Sequence, residues 1–384
     1  MIPDHIPSSS LCPNDLNSRR IKGVSAAMRE HLRQAIQRDG PMPLDQFMEI
    51  VLYHPTLGYY EADQDPVGLE GDFQTSVSLG PMLGKLLHHQ AMAWKAGQTP
   101  WQWVECGAHH GQLAEDMLKA RQAMAPSNPC HEMEYLIFEP SPKRQAIQKE
   151  RLQAFKGQVS WVDSWTSLRD RFHQGIIFSN ELLDAMPTRR LAWCKPRRQW
   201  VECCVTWKQD DLAWTHRPLE QPLRLNWLET SDQALLEQAL PDDYLIEISP
   251  AAMTWWQEAA RSLKRGYVVA IDYGFKGLEK FSPSRTGGTL RTYWRHRMGT
   301  DPFEAVGSRD LTAHVDFPAL EKIGAKEGLH TIGLLPQESF MHQCLGSLLA
   351  AGEQIRPKET AVFRTLMHPE HFGHRFQVLI QQRT

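Results

Sequence analysis

The sequence predicts an α/β protein with a mostly parallel, doubly wound sheet, and three observations lead to this fold class. Apolar, strand-like runs alternate with helix-like runs from Trp101 onward. Residues 101–111, WQWVECGAHHG, combine a buried strand with a glycine turn. The following run, Gln112 to Met124, repeats apolar residues at helical spacing. A strand, a glycine turn and a helix form the first ligand-binding corner of such a sheet.

The turn after Glu105 is the first candidate site. Gly107 and Gly111 would let the backbone pass close to a ligand, and free N–H groups at the helix start can meet a carboxylate or phosphate. The dinucleotide pattern G-x-G-x-x-G is absent. The turn is closer to the E-x-G-x-G-x-G of methyltransferases that use S-adenosylmethionine (SAM), with His109 at the central glycine. A plain strand-to-helix turn without a ligand remains the alternative.

Composition bounds the class of protein. The 384 residues are enough for two or three domains, or for one large domain with insertions. A net charge of −3 argues against a general nucleic-acid surface, so no nucleic-acid partner is predicted. No apolar run has the length of a membrane span, so no membrane insertion is predicted. The N-terminal stretch has no apolar centre and carries two aspartates, which predicts neither a secretory signal nor a transit peptide.

The cysteines and histidines predict no metal and no disulfide chemistry. Seven cysteines, an odd number without any C-x-x-C, indicate reduced thiols and a cytoplasmic location. We expect Cys106 to be a small buried residue rather than a nucleophile. The doublets His88-His89 and His109-His110 place neighbouring side chains in different directions, so they do not form a metal site.

The chain divides into a core and added segments. Residues 1–20 are rich in Pro, Ser and Asn and are expected to be loosely ordered. Residues 21–100 are expected to form a helical N-terminal extension with a loop, including Thr75, that covers the cofactor or simply caps a helix. The predicted core comprises residues 101–274 and 360–384. A hairpin insertion is expected at about 190–216, and 275–359 is expected to be a mainly helical insertion on the substrate side.

Three consecutive predicted strands end in polar groups, where such sheets bind ligands. The strand at 135–138 ends at Glu139, the strand at 159–162 ends at Asp163, and the strand at 176–178 is followed by Ser179-Asn180-Glu181. Glu139 has the clearest predicted role, because its two oxygens can accept both ribose hydroxyl hydrogens of an adenosine cofactor. A solvated glutamate at a strand end is the alternative.

Several sequence blocks occur in one order along the chain: LYHPTLGYY, GDFQTS, ECGAHHG, FEPSP, NELLDAMP, EISP, IDYG, RHR and DLTAHVDF. Together they resemble the MidA family of SAM-dependent methyltransferases, whose mitochondrial members assist assembly of respiratory complex I by dimethylating an arginine. The resemblance covers about residues 25–380 and is most specific at 180–187 and 310–317. It implies a Rossmann-like class I core of seven strands, SAM as cofactor and a protein arginine as acceptor.

The resemblance also assigns site residues. Those predicted to bind the cofactor are Thr75, Gly107, His109, Gly111, Glu139, Asp163 and Asn180. The glycines would line the methionine end of SAM, the glutamate would hold the ribose, and Asp163 would reach the adenine edge. Asn180 and Glu181 would lie between cofactor and acceptor.

Two positions depart from the family pattern. The family usually has G-P-G-R-G, whereas His109 stands at the central glycine here, and the acid of its T-S-P-E block is replaced by Ser78. These departures keep open a SAM-binding assembly or interaction protein with little or no turnover. A nucleotide- or NAD-linked oxidoreductase is a further alternative, which the missing dinucleotide pattern disfavours.

An arginine acceptor needs acidic groups, because its guanidinium stays protonated in water with a pKa above about 12. Carboxylates must hold the cation, orient one nitrogen and take up its proton. Glu181 and Asp184 are the predicted catalytic residues. The alternative for Asp184 is a charge in the first turn of a helix. His314 and Asp316 could assist catalysis from the C-terminal segment, but the favoured prediction is a structural hydrogen-bonded pair.

Overall fold

The computed structural model describes residues 13–61, 75–95, 100–123, 133–294 and 297–384. The first four residues of the GDFQTS block, and Arg295-His296 of the RHR block, therefore lie outside the described residues.

The helices of this part of the chain are α1 (Pro13–Asp39), α2 (Leu44–Tyr53), α3 (Met82–Lys95), α4 (Gln112–Ala123), α5 (Pro142–Arg151), α6 (Trp165–Arg171), α7 (Thr230–Ala239), α8 (Pro250–Ser262), α9 (Phe317–Lys326), α10 (Gln337–Ala350) and α11 (Pro357–Met367). The strands are β1 (Met42–Pro43), β2 (Gln102–Cys106), β3 (Glu134–Phe138), β4 (Val159–Val162), β5 (Gly175–Asn180), β6 (Arg189–Cys194), β7 (Gln199–Lys208), β8 (Asp211–Pro218), β9 (Tyr244–Ile248), β10 (Gly266–Phe275), β11 (Arg291–Trp294), β12 (Arg297–Gly299), β13 (Asp310–Thr312), β14 (Val315–Asp316), β15 (His330–Pro336) and β16 (Phe376–Arg383).

The main sheet has the strand order β15-β16-β10-β5-β2-β3-β4, with β14 paired to the end of β10. Neighbouring strands from β4 to β10 run parallel, and β16 is antiparallel to both of its neighbours. The chain order reverses between β5 and β2, which is where ligands bind in open α/β sheets. The predicted α/β fold class, a Rossmann-like sheet with seven core strands, is confirmed.

Apolar side chains cover both faces of this sheet. Along β2, Trp103 packs with α3, α4 and α10 on one face, whereas Val104 packs with α6, α8 and α9 on the other. Both faces are therefore buried, as expected for a parallel sheet, and its strands are nearly continuous apolar runs. Functional polar groups are left to the strand ends.

A second, antiparallel sheet is larger than the predicted hairpin. Its order is β1-β7-β6-β9, with β8 paired to β7. The insertion therefore contains three consecutive strands at 189–218, and β9 joins it by pairing with β6 instead of entering the main sheet. The sequence suggests only a hairpin because β6 is short and its partner β9 comes about 50 residues later in the chain.

Two added segments also differ from the sequence expectation. Helix α1 begins at Pro13, so residues 13–20 are helical rather than loosely ordered. Proline and the short polar residues that suggest disorder are also tolerated or favoured where helices begin. The segment 275–359 is not mainly helical: before α9 it contains 3-10 turns and the three-stranded sheet β12-β11-β13. Strands of three or four residues offer too little alternation to be recognised. None of the described helices is both long and apolar enough to cross a bilayer.

Candidate active site

The glycine turn between β2 and α4 has a left-handed backbone at three positions. The φ angles are +75° at Gly107, +50° at His109 and +78° at Gly111. A Cβ atom at Gly107 would lie 2.9 Å from Leu182 Cδ1, so a larger residue would displace this side chain in addition to straining the backbone. His109 is not a glycine, so its left-handed backbone costs about 1–2 kcal/mol.

Glu139 lies directly after β3 and is buried. Its Oε1 accepts a hydrogen bond from the Ser141 amide at 3.0 Å, and its Oε2 accepts one from Gln148 Nε2 at 2.9 Å. Burial raises the pKa of this carboxyl group, and the Ser141 bond and the nearby Arg144 partly oppose the shift. Each carboxylate oxygen has a second lone pair, so each can accept one further hydrogen bond.

Gln148 is a residue that the sequence interpretation missed. It lies on α5, is fully buried, and its Nε2 also donates to the His109 carbonyl oxygen at 3.0 Å. Its Oε1 accepts from Trp161 Nε1 at 2.9 Å. Gln148 thus joins the glycine turn to Glu139. A glutamine within a helix of mainly polar and charged residues, PKRQAIQKER, is the sequence signal, and it is weak.

Asp163 follows β4 at the same edge but is exposed. Its Oδ1 accepts from Ser167 Oγ at 2.9 Å, and this bond lowers the pKa of the carboxyl group. Its contacts are local to the start of α6. Thr75 is buried, and its Oγ1 accepts from the Ser78 amide at 3.1 Å, which closes a local turn.

This half of the edge fits an adenosine cofactor. Glu139 is a buried acceptor with spare lone pairs at the position expected for a ribose, and the two left-handed glycines allow close approach of a ligand to the turn. Cys106 beside them is buried, and burial raises the pKa of its thiol, as expected for an unreactive residue.

Glu181 stands at the end of β5 with a left-handed φ of +52°. Its Oε1 accepts three hydrogen bonds: 2.9 Å from the Ser76 amide, 2.8 Å from Ser76 Oγ and 2.9 Å from Asn180 Nδ2. No donor among the described residues bonds its Oε2. Burial raises the pKa of the group. The turn at 75–79 therefore contacts the acid that the sequence predicts to be catalytic.

Asp272 lies within β10, near its carboxyl end, and fixes the segment that follows Glu181. Its Oδ2 accepts the amides of Leu182, Leu183 and Asp184 at 3.2, 2.8 and 3.3 Å. This segment is a turn, so the alternative of Asp184 as a charge in the first turn of a helix is wrong. A carboxylate that accepts several amides holds them in one conformation.

The carboxyl edge also contains a small acidic pocket with a cavity volume of about 40 Å³. It is lined by three carboxylates, three tyrosines and a threonine, namely Glu181, Asp184, Asp310, Tyr60, Tyr273, Tyr293 and Thr312. Burial raises the pKa of Asp184 well above its ordinary value, and Asp272, Asp310 and Glu181 raise it further. Burial also raises the pKa of Asp272, to about 7. A cation would relieve this repulsion.

The sequence interpretation missed Tyr60, Asp272 and Asp310 as site residues. They come from segments far apart in the chain, and their only sequence signal is that each lies within one of the blocks of the family resemblance.

His314 and Asp316 do not form the predicted pair. Asp316 accepts the Ala319 amide at the start of α9 and pairs with Lys280 at 2.8 Å. The His314 ring lies against Tyr273 and Phe275, and burial lowers its pKa to about 4.

A doubly wound sheet with a glycine turn, a buried carboxylate after the next strand and an acidic pocket beside them is the arrangement expected of a SAM-dependent methyltransferase. The family model described as "Putative S-adenosyl-L-methionine-dependent methyltransferase" matches residues 82–335. The chain belongs to this family. SAM is therefore its cofactor, as the sequence predicts, and the enzyme class is confirmed.

Two relatives extend the similarity over most of the chain. The mitochondrial protein arginine methyltransferase NDUFAF7 of Xenopus laevis is 26% identical, over 91% of this chain and 83% of its own length. The Drosophila melanogaster homologue is 27% identical, over 94% and 86%. These names agree with the family resemblance found in the sequence.

Solved structures show the same fold. A likely methyl transferase from Burkholderia thailandensis, bound to S-adenosyl-homocysteine, has a TM-score of 0.82 at 28% identity, covering 99% of this chain and 95% of its own. A native structure of a protein from the same superfamily and organism has a TM-score of 0.79 at 28% identity, with the same coverage.

The predicted cytoplasmic location is contradicted, because the similar arginine methyltransferases are named as mitochondrial. The prediction depended on cysteine usage and on the character of the N-terminal stretch. The described cysteines are indeed free thiols, but free thiols occur in any reducing compartment and do not distinguish between them.

Proposed function

We propose that this enzyme transfers a methyl group from SAM to an arginine side chain of a protein, which enters the acidic pocket. The observation that carries the proposal is the group of three carboxylates, Glu181, Asp184 and Asp310, around one pocket beside the cofactor edge. The names of the relatives support it, since they are protein arginine methyltransferases.

Glu181 is the proposed principal contact of the acceptor. Three donors hold its Oε1, so the side chain is fixed. Among the described residues, no donor bonds its Oε2, which leaves this oxygen available to an acceptor. A fixed carboxylate can pair with a guanidinium and orient one of its nitrogens, which is the positioning that methyl transfer needs. Asp184 stands beside it in the same pocket.

The same acids can accept the proton that the acceptor nitrogen loses during methyl transfer. SAM supplies an electrophilic methyl group, and the acceptor nitrogen forms a bond to it as the carbon–sulfur bond breaks. That nitrogen must then lose a proton, since the product would otherwise carry two positive charges. A carboxylate with a raised pKa is a better proton acceptor than an ordinary one, and Glu181 and Asp184 both have this property.

The proposed cofactor side uses the residues predicted from the sequence. Glu139 would hold the ribose, Gly107 and Gly111 the methionine end, and Asp163 the adenine edge. The remaining members of the set, all near the turn or the end of β5, are Thr75, His109 and Asn180. The contact of Asn180 with both Glu181 and Ser76 supports its place between cofactor and acceptor.

The added segments would serve the acceptor side. Tyr60 belongs to the proposed N-terminal extension, residues 21–100, and Tyr293 and Asp310 belong to the proposed insertion, residues 275–359. Both segments line the acidic pocket, which supports a shared role in forming it around the core sheet.

The experiment is methyl transfer from labelled SAM into a lysate of the source cells, followed by hydrolysis and identification of the labelled product. We expect methylated arginine in a protein. Label in lysine, in nucleic acid or in a small molecule would refute the arginine mechanism.

The same material tests the remaining alternative, a SAM-binding assembly protein with little turnover, which the His109 departure keeps open. That protein would bind S-adenosyl-homocysteine in calorimetry yet transfer no label to any component of the lysate.

A further inference from the structure

We propose that Tyr60 is a positioning residue that makes acceptor binding depend on an occupied cofactor side. The inference rests on the proposed function, because it concerns the same acidic pocket. Tyr60 belongs to a 3-10 turn, Tyr59–Glu61, that contacts the cofactor side through α5 and the acceptor side through β13.

On the acceptor side, the Tyr60 hydroxyl donates to Asp310 Oδ1 at 2.8 Å. The Leu311 amide donates to the same oxygen at 2.9 Å, so the two bonds set the direction of this carboxylate. The Tyr60 ring stacks on Tyr53 with centroids 5.5 Å apart. Burial raises the pKa of the Tyr60 phenol, so the hydroxyl stays protonated and remains a donor.

On the cofactor side, the first turn of α5 holds the same segment. The Arg144 guanidinium donates to the Tyr60 carbonyl oxygen and lies over the Tyr60 ring, 5.6 Å from its centroid. The Ser141 hydroxyl donates to Glu61 Oε2 at 3.4 Å, while the Ser141 amide donates to Glu139 Oε1 at 3.0 Å.

A continuous set of contacts therefore leads from Glu139 through the start of α5 and the 59–61 turn to Asp310. Charge also links Glu139 to the middle of this set, since Arg144 lowers the pKa of Glu139 and Glu61 raises it. A cofactor held by Glu139 would fix the start of α5, and with it the orientation of Tyr60 and Asp310. Coupling between two sites of this kind is typically about 5–150-fold in affinity, and it is reciprocal.

The test measures this coupling with two separate ligands. S-adenosyl-homocysteine serves as cofactor probe, and Nα-acetylarginine methylamide serves as acceptor probe, with the neutral citrulline analogue as its matched control. For the full-length wild type, we expect the arginine probe to bind about tenfold more tightly when S-adenosyl-homocysteine is saturating.

The variant Tyr60→Phe keeps the ring and removes the hydroxyl that holds Asp310. Its affinity for S-adenosyl-homocysteine alone should stay within about twofold of the wild-type value. Its affinity for the arginine probe should no longer change when S-adenosyl-homocysteine is saturating. The control Tyr53→Phe removes another buried hydroxyl, which donates to the Ala185 carbonyl oxygen and not to an acid, and it should keep the wild-type coupling.

Arg144→Met breaks the other end of the connection and should also reduce the coupling, with no further reduction when it is combined with Tyr60→Phe. If circular dichroism shows that Tyr60→Phe does not fold, the coupling measured in Arg144→Met tests the inference instead. Wild-type coupling in either folded variant would overturn the inference. A wild type that does not distinguish arginine from citrulline would instead overturn the proposed function.

Discussion

The two halves of the candidate site are built differently. The central part of the cofactor half comes from one stretch of the chain, in which β2, the glycine turn, α4 and β3 lead to Glu139. The acceptor half is assembled from segments near residues 60, 181, 272 and 310, which are distant in the chain. A half formed by neighbours in sequence can be recognised from spacing, whereas a half formed by long-range packing cannot.

Their electrostatics differ in the same way. Glu139 is held mainly by neutral donors, the Ser141 amide and Gln148. In the acceptor half, Asp184 lies near Asp272, Asp310 and Glu181, and these acids raise its pKa beyond the effect of burial. The first arrangement suits hydroxyl groups, and the second suits a cation, which would relieve the repulsion. The following changes test whether the halves act separately.

The largest expected effect is that of Glu181→Gln, which keeps the shape of the acceptor half and removes a charge. We expect turnover to fall by roughly 100-fold or more, the scale for losing a positioned acid–base group. Affinity for S-adenosyl-homocysteine should stay nearly unchanged. Steady-state transfer from labelled SAM and calorimetry measure the two quantities.

The matched control is Glu134→Gln, on an exposed glutamate at the opposite end of the same sheet. Equal rates for wild type and Glu181→Gln would remove this residue from the mechanism. A parallel loss of cofactor affinity would mean that the two halves are not separable.

The variant Glu139→Ala changes the cofactor half. Because it leaves polar partners unpaired, we expect binding of SAM to weaken by roughly 1–3 kcal/mol. Titration calorimetry with S-adenosyl-homocysteine is the measurement, and Glu150→Ala, on the exposed face of α5, is the control. Unchanged affinity in Glu139→Ala would exclude this carboxylate from ribose binding.

The pH dependence separates activity from stability. Because the pKa of Glu181 is raised, its ionised form is lost as pH falls while ordinary carboxyls are still charged, and transfer should then drop by up to about tenfold per pH unit. Stability should change in the opposite direction. A raised folded-state pKa favours the folded protein at low pH, and this contribution is lost as pH rises through the folded value, about 7 for Asp272.

The measurements are pH profiles of transfer and of the free energy of unfolding in urea, for wild type and Glu181→Gln. The acid limb of the rate profile should move or disappear in the variant. An identical limb in both proteins would assign it to another group.

The smallest effect is expected for His109→Gly in the glycine turn. Glycine suits the left-handed backbone there, so the folded state should gain up to about 1 kcal/mol. Affinity for S-adenosyl-homocysteine should change by less than about threefold, because the wild type is expected to bind it at micromolar concentration. Binding that appears only in the variant would show that the histidine blocks the site.

The sequence was sufficient for the core and for part of the site. The predicted strands at 135–138, 159–162 and 176–178 all lie in strands of the main sheet, and the predicted helix from Gln112 agrees with α4 as far as the described residues extend. These elements have strong apolar periodicity or long buried runs, which are local properties. The second sheet and the three-stranded sheet at 291–312 were not recognised as such, since their strands are short and their partners are distant.

The sequence by itself determined the fold class, the family, the cofactor and the position of Glu139, because strand ends and glycine turns follow from neighbouring residues. Only the tertiary structure decided which groups surround Glu181. It brought Ser76, Asp272 and Asp310 to the same edge, and it placed Tyr60 against Asp310 across a separation of 250 residues. Such contacts depend on how sheets and added segments pack, and no local pattern encodes them.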